Sequence, residues 1–253
     1  MIRIRMFGPF DVTDVDRHVL ITDFHGVKTR QILAILSVHP GIPLSKKRIA
    51  ELLWEQRLPS SWHSTLEGYV SLLRQALQPG VRPPESVVAT RQGGYVLLPD
   101  AVVSDLTEFD ALVNNAITLP PSRALDPLAA ALALARGDVL ADEPWSWTAE
   151  IRGRYRRRVL RTAVLAGQHA LAVGDAELAV DMGQRACELD RLAEDAWSLL
   201  IRAHWHADRR ADALRCYNML RTLLADELGI APGHGTQRLH IAILRDEPAA
   251  IGS

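Results

Sequence analysis

The stretch Ser64-Thr65-Leu66-Glu67-Gly68-Tyr69-Val70-Ser71-Leu72-Leu73-Arg74-Gln75-Ala76-Leu77 decides the fold of the front of this 253-residue chain. Leu66, Val70, Leu73 and Leu77 recur at spacings of four, three and four, the period of a helix with one apolar stripe. The helix is expected over 61–77. Upstream, Ser45 caps a second, shorter helix over Lys46 to Trp54, whose core side is Ile49, Leu52 and Leu53. Further back, Lys28 opens a helix with Ile32, Leu33, Ile35 and Leu36 on one side, and His39-Pro40-Gly41 stops it. Downstream, Pro83-Pro84 breaks the chain. Val87-Val88-Ala89-Thr90 and Tyr95-Val96-Leu97-Leu98 then read as strands joined by a hairpin tip, Arg91-Gln92-Gly93-Gly94. At the start, Ile2, Ile4 and Met6 alternate with Arg3, Arg5 and Phe7. With Phe10-Asp11-Val12 and Val19-Leu20-Ile21 they predict a small antiparallel sheet.

Everything after Asp105 reads as helix, with breaks at Pro120-Pro121, Gly137, Pro144, Gly174, Asp208 and Gly229-Ile230-Ala231-Pro232-Gly233 and no strand pattern. An offset of 34 residues aligns Ala163 with Trp197, Ala166 with Leu200, Ala179 with Ala213, Gly183 with Tyr217 and Leu189 with Leu223. That is the tetratricopeptide period, and two repeats are expected, with the first filled by small variants. Stacked helix pairs of this kind leave a groove that binds another protein segment. The fold class is therefore mainly α: an N-terminal winged helix-turn-helix with a small β-sheet and wing hairpin over 1–99, and a C-terminal all-α, tetratricopeptide-like helical domain over 105–247.

Hydrophobic residues at 48% and charged residues at 23% exclude a disordered or disulfide-scaffold protein. No apolar run approaches the roughly 18 residues that cross a bilayer, and the opening Met1-Ile2-Arg3-Ile4-Arg5-Met6 has no signal-peptide core, so a cytoplasmic, nucleoid-associated location with no membrane partner is expected. Cys187 and Cys216 lack metal-site spacing and read as small core residues. The net charge of −1 is unevenly spread: residues 1–98 hold 12 Lys+Arg and 8 Asp+Glu, the remainder 17 and 22. A basic front and an acidic rear point to different partners.

Three helices and a hairpin are the parts of a fold whose third helix enters the DNA major groove while the hairpin touches the minor groove. With the Leu66 stripe inward, the opposite face is Thr65, Gly68, Leu72 and Gln75, flanked by Ser64, Ser71 and Arg74. These are the candidate base readers: Thr65 and Gln75 for base edges, Leu72 for a thymine methyl, Arg74 for guanine or phosphate. Gly68 costs roughly 1 kcal/mol in a helix interior, which close approach of the backbone to DNA explains as well as a tolerated defect does. Candidate phosphate contacts are Lys46, Lys47 and Arg48 on the first turn of the second helix, where three cations oppose the dipole and an external anion is the counter-charge. Lys28, Arg30 and His63 are weaker candidates of the same kind, and Arg91 with Gln92 at the hairpin tip is placed for a minor groove.

The order of residues resembles the Streptomyces antibiotic regulatory proteins, activators that pair an OmpR-type winged helix with a bacterial transcriptional activator domain. The resemblance rests on Lys28-Thr29-Arg30-Gln31-Ile32-Leu33-Ala34-Ile35-Leu36, on Leu44-Ser45 through Leu53-Trp54, on the Ser64 to Leu77 stretch and on Thr90-Arg91-Gln92-Gly93-Gly94-Tyr95. In the rear it rests on Asp105-Leu106-Thr107-Glu108-Phe109 and Ala225-Asp226-Glu227-Leu228-Gly229-Ile230-Ala231-Pro232-Gly233. It implies an activator of a secondary-metabolite pathway that binds double-stranded promoter DNA at direct repeats, as two copies on DNA, and helps RNA polymerase holoenzyme engage. The chain departs from the family pattern at Leu72 and Gln75, where arginine is usual, at Ser64, where asparagine is, and at His63, which replaces an arginine.

No nucleophile elbow, phosphate loop or dinucleotide fingerprint is present, and His204 and His206, two apart, point to different sides of a helix, so neither an enzyme nor a cofactor or metal is expected. The run Arg152-Gly153-Arg154-Tyr155-Arg156-Arg157-Arg158-Val159-Leu160-Arg161 holds six arginines. Their candidate partners are DNA phosphate, an acidic polymerase surface, or the chain's own Asp142, Glu143 and Glu150. The competing reading of the whole is a helical-repeat adaptor whose winged helix has lost DNA binding. It rests on the weakly charged face of the third helix.

Overall fold

A computed structural model describes residues 1–14, 17–55 and 57–247. By contacts the chain groups into two compact units, 1–110 with 136–152, and 111–135 with 153–253.

In the first unit, β1 (Ile2–Arg5), β2 (Asp11–Asp14) and β3 (Arg17–His18) form a meander, and β7 (Val102–Ser104) adds parallel to β1, giving the order β3-β2-β1-β7. Ile2 and Ile4 point into the core and Arg3 and Arg5 to solvent, as alternation requires. The sheet expected from sequence was purely antiparallel with a third strand at Val19-Leu20-Ile21. That expectation is corrected. The third strand ends at His18, Ile21–Phe24 is a 3₁₀ turn, and the parallel strand comes from a three-residue segment too short to show a pattern.

Helices α1 (Val27–Ser37), α2 (Lys46–Trp54) and α3 (Trp62–Leu77) follow the expected order. Helix α1 buries Thr29, Gln31 and every residue from Ile32 to Ser37, so it is the central element against which the others pack. The short β4 (Leu44–Ser45) joins β5 (Val88–Arg91) and β6 (Gly94–Leu97) in a three-stranded wing of order β4-β6-β5. The tip residues Gln92 and Gly93 have φ of 52° and 72°, the left-handed pair of a tight hairpin turn. Gly94 is required for a different reason: a Cβ there would lie 2.0 Å from the Leu44 carbonyl oxygen, inside the β4–β6 ladder.

Residues beyond 99 complete this unit. The buried Asp105 carboxylate accepts the backbone N–H groups of Met6 (2.8 Å) and Phe7 (2.9 Å) just past the end of β1. Burial pushes the Asp105 pKa above the usual aspartate value in spite of these donors. Residues 136–152 pair there too: Val139 bridges Phe7, Leu140 N–H donates to Met6 O (2.7 Å), and Gly8 N–H to Asp138 O (2.9 Å). Apart from this one bridge, every regular element after Ser104 among the described residues is a helix, as the sequence pattern requires. Arg152 fixes the loop by donating to the carbonyls of Val139 (2.9 Å), Leu140 and Glu143 (2.7 Å). Trp145 and Trp147 stack 5.8 Å apart, and Arg30 lies 5.9 Å over the Trp145 ring.

The second unit is helical. It contains α5 (Pro121–Leu134), α7 (Ala176–Leu189), α8 (Glu194–His206), α9 (Arg210–Leu228) and α10 (His234–Arg245), while the division between units falls within α4 (Asp105–Ile117) and α6 (Thr148–Ala172). The 34-residue offset superposes α6–α7 on α8–α9. Trp197, Leu200, Ala213, Tyr217 and Leu220 share one core cluster with Ala170, Ala179 and Val180. The small residues of the first repeat make room for the second: a Cβ on Gly167 would meet Leu199 Cδ2 at 2.5 Å, and one on Gly183 would meet Leu200 Cα at 3.0 Å. Cys216 is buried and Cys187 half-buried, both unpaired, and burial pushes the Cys187 thiol up to about 12. Among the described residues, no helix is long and apolar enough to cross a membrane, and no group of side chains is arranged to hold a metal.

Replacing Asp105 with alanine strands two buried N–H groups. The substitution is expected to lower unfolding free energy by about 3 kcal/mol in denaturant titration. A change within experimental error would remove Asp105 from the packing of the first unit.

Candidate nucleic-acid interface

The interface is built on α2, α3 and the wing. Ser45 caps α2, its Oγ accepting the Arg48 N–H at 3.2 Å. The apolar stripe Leu66, Val70, Leu73, Leu77 is fully buried, which turns the opposite face of α3 outward. That face centres on Ser64, Gly68, Ser71 and Gln75, all exposed. Thr65 and Leu72, set at its centre from sequence, are half-buried at its edge. The sequence period fixes a stripe, but the packing of Ala76 beside Leu77 rotates it slightly. Ser64 and Thr65 both donate to the Ser61 carbonyl, at 3.1 and 3.0 Å, which leaves the lone pairs of their hydroxyl oxygens to accept. Nothing lies within 4 Å of a Cβ added at Gly68, so that side of the helix is open to a close-approaching surface.

Several candidate cations are already engaged. Lys46 Nζ donates to Glu67 Oε1 at 2.6 Å and stands 5.8 Å from the Tyr95 ring centroid. The hydrogen bond donated to Glu67 raises the Lys46 pKa, and the same bond lowers that of Glu67. Arg48 reaches Glu51 at 3.7 Å. The first turn of α2 therefore has internal counter-charges for two of its three cations, which corrects the expectation that only an external anion supplies them. Glu67 was missed because its partner lies 21 residues away; the sequence signal was its charge on an otherwise neutral face. His63 lies 3.6 Å from the same carboxylate.

Lys28 and Arg30 do not join the interface. Lys28 Nζ donates to the Leu53 carbonyl, closing the end of α2, and to Gln31 Oε1 (3.3 Å). Arg30 pairs with Glu143 at 2.8 Å, both side chains largely buried. Arg74 turns toward the wing, Nε donating to Val88 O (3.0 Å) and Nη2 to Thr90 Oγ1 (2.9 Å), with its guanidinium 5.8 Å from the Tyr95 centroid. Burial lowers the Arg74 pKa and raises that of Tyr95. Among the described residues, exposed Lys47 and exposed Arg91 have no ion-pair or hydrogen-bond partner for their side chains, and Gln92 stands exposed beside Arg91. Ser64, Gly68, Ser71 and Gln75 thus form a small, uncharged strip on α3, with Lys47 on the neighbouring helix and Arg91 at the tip of the wing that Arg74 ties to α3.

A helix presented outward beside a cationic helix start and an arginine-tipped hairpin defines a winged-helix nucleic-acid-binding unit, here in one chain with a helical-repeat unit. The family model "Bacterial transcriptional activator domain" matches residues 104–244, and "Transcriptional regulatory protein, C terminal" matches 26–97. The chain belongs to the Streptomyces antibiotic regulatory protein family, DNA-binding transcriptional regulators rather than enzymes. It is 32% identical over 235 residues to the transcriptional regulatory protein EmbR of Mycobacterium tuberculosis, which covers 87% of this chain and 58% of EmbR. It is 34% identical over 234 residues to the regulatory protein AfsR of Streptomyces coelicolor, covering 22% of that protein, and 27% identical over 241 residues to the regulatory protein DnrI of Streptomyces peucetius, covering 85%. The chain thus spans 58% of the length of EmbR. The solved structure of Mycobacterium tuberculosis EmbR in complex with a low affinity phosphopeptide superposes with a TM-score of 0.86 at 27% identity, over 99% of this chain and 68% of that one.

Replacing Glu67 with glutamine releases Lys46. Duplex binding is expected to tighten at low salt for every sequence, with the slope of log K against log salt steeper by about 0.9. An unchanged slope would mean that Lys46 stays clear of phosphate even when unpaired.

Proposed function

We propose that this chain activates transcription of a secondary-metabolite pathway from promoter direct repeats, two copies binding side by side on DNA in the cytoplasm and helping RNA polymerase holoenzyme engage. The observation that carries the reading is the open, uncharged strip of α3 around Gly68, bordered by Lys47 and Arg91, whose charges have no internal partner. Likeness to the Streptomyces regulators AfsR and DnrI supports the pathway class.

Base reading belongs to Gln75, Ser64 and Ser71, with Thr65 and Leu72 at the edge and Gly68 admitting the DNA. Phosphate contacts belong to Lys47 and Arg48, with Lys46 and His63 tempered by Glu67. Arg91 and Gln92 enter the minor groove. Arg74 positions the wing, and its replacement weakens binding to all sequences.

The test is a fluorescence-anisotropy titration against promoter-length duplexes at two salt concentrations, followed by footprinting. Selective, salt-steep binding with two adjacent footprints is the expected result. No binding at low salt would favour the adaptor reading. Within that assay, Lys47→Ala is expected to lower affinity for all duplexes alike, because a phosphate contact carries no sequence information. Gly68→Ala separates two effects in one variant. Alanine is expected to raise the unfolding free energy of the free protein by up to about 1 kcal/mol, since its Cβ meets nothing in the fold. If DNA approaches there, the same methyl weakens duplex binding. Equal affinity would move the DNA away from Gly68.

A further inference from the structure

Helix α6 carries cations that the winged-helix interface does not use. Arg154, Arg157 and Arg161 stand at spacings of three and four, so they share one helix face, and all three are exposed. Arg154 lies 5.2 Å over the ring of Tyr155. Among the described residues, neither Arg157 nor Arg161 has an ion-pair partner. Glu143, an expected partner for this run, is taken by Arg30, and Arg158 donates instead to Asn114 Oδ1 at 3.1 Å.

The arginine row runs into a groove of about 510 Å³ between α6 and the start of α8. Arg161 lines its rim, half-buried Leu160, Val164 and Leu165 form its apolar wall, and Ala193, Glu194, Asp195 and Ala196 close the far side, so the cations lie on the α6 side and the carboxylates on the α8 side. Of the two carboxylates at the start of α8, Glu194 accepts from Gly233 N–H (2.8 Å) and Thr236 Oγ1, and Asp195 acts on Arg202, two turns further along the helix.

We propose that this groove is the docking site for an acidic amphipathic helix of a protein partner. Carboxylates at spacings of three and four face Arg154, Arg157 and Arg161, and the apolar stripe of the partner covers Leu160, Val164 and Leu165. Charge complementarity along the arginine row of α6 selects the acid and turns the partner's carboxylates toward α6, away from Glu194 and Asp195. The apolar wall beside the arginine row selects a protein over a nucleic-acid backbone, whose phosphates gain nothing from covering leucine and valine. The inference deepens the reading of the helical unit as the protein-contacting half of the regulator and does not depend on the operator.

The probe is a labelled synthetic helix of glutamate and leucine in amphipathic register, titrated into the full chain by fluorescence anisotropy. Its controls are the same composition scrambled out of register and a lysine-for-glutamate version. Only the first is expected to bind. The double variant Arg157→Glu/Arg161→Glu is expected to lose at least about tenfold in affinity, as is Val164→Asp, with the thermal unfolding midpoint and duplex binding of the arginine variant unchanged. Equal binding of the scrambled peptide, or binding of none, overturns the proposal. A fall in duplex affinity in the arginine variant also overturns it, by making the row a nucleic-acid surface. Failure of the DNA-binding reading is visible separately, in the duplex titration of the unaltered chain.

Discussion

The geometry of the interface depends on one guanidinium. Arg74 leaves α3 and reaches the wing with two donors in a fixed plane, one on the Val88 carbonyl and one on the Thr90 hydroxyl. A planar fork bound at two points fixes direction as well as distance, which a lysine at the same position does not. Tyr95 reinforces the joint, since Arg74 and Lys46 each stand 5.8 Å from the same buried ring. Helix and hairpin, separated by ten residues of chain between Leu77 and Val88, are thereby joined into one surface.

That arrangement changes the electrostatic character of the site. Counting cations along α1 and α2 suggests a strongly basic surface, yet Lys28 closes the end of α2, Arg30 is buried against Glu143, and Lys46 is neutralised by Glu67. On the proposed function, long-range attraction to phosphate rests on few side chains, and the short-range fit of a nearly neutral helix face carries a larger share of recognition. A face of glycine, serines and one glutamine suits that role, because it lets the backbone come close and leaves acceptors and donors at hydrogen-bond range.

In the helical unit, the two repeats are complementary rather than equivalent. The first supplies small residues where the second supplies large ones, so that Gly167 faces Leu199 and Gly183 faces Leu200. What looks in sequence like decay of a repeat is a socket for its neighbour. The outward sides of α6 and α8 are then free to hold charge, arginine beside an apolar wall on α6 and Glu194 with Asp195 at the start of α8.

The sequence by itself determined the order of elements in the front unit, the caps and turns and the inward stripe of α3, because each is written in residues fewer than about two turns or one hairpin apart, and it determined the 34-residue period because a repeat carries its own register. The tip of the wing was legible from Gly93-Gly94 between two strand patterns, whereas the left-handed φ of 52° at Gln92, a residue type not favoured there, was not. Which cations remain available was not legible. The pairs Lys46–Glu67, Arg30–Glu143 and Arg74–Thr90 join positions 21, 113 and 16 residues apart. So do the parallel strand Val102–Ser104 and the Phe7–Val139 bridge, which attach late segments to the first strand. Local periodicity says which side of an element is apolar; it says nothing about which distant charge or strand edge the folded chain brings against the other side, and that only the tertiary structure decided.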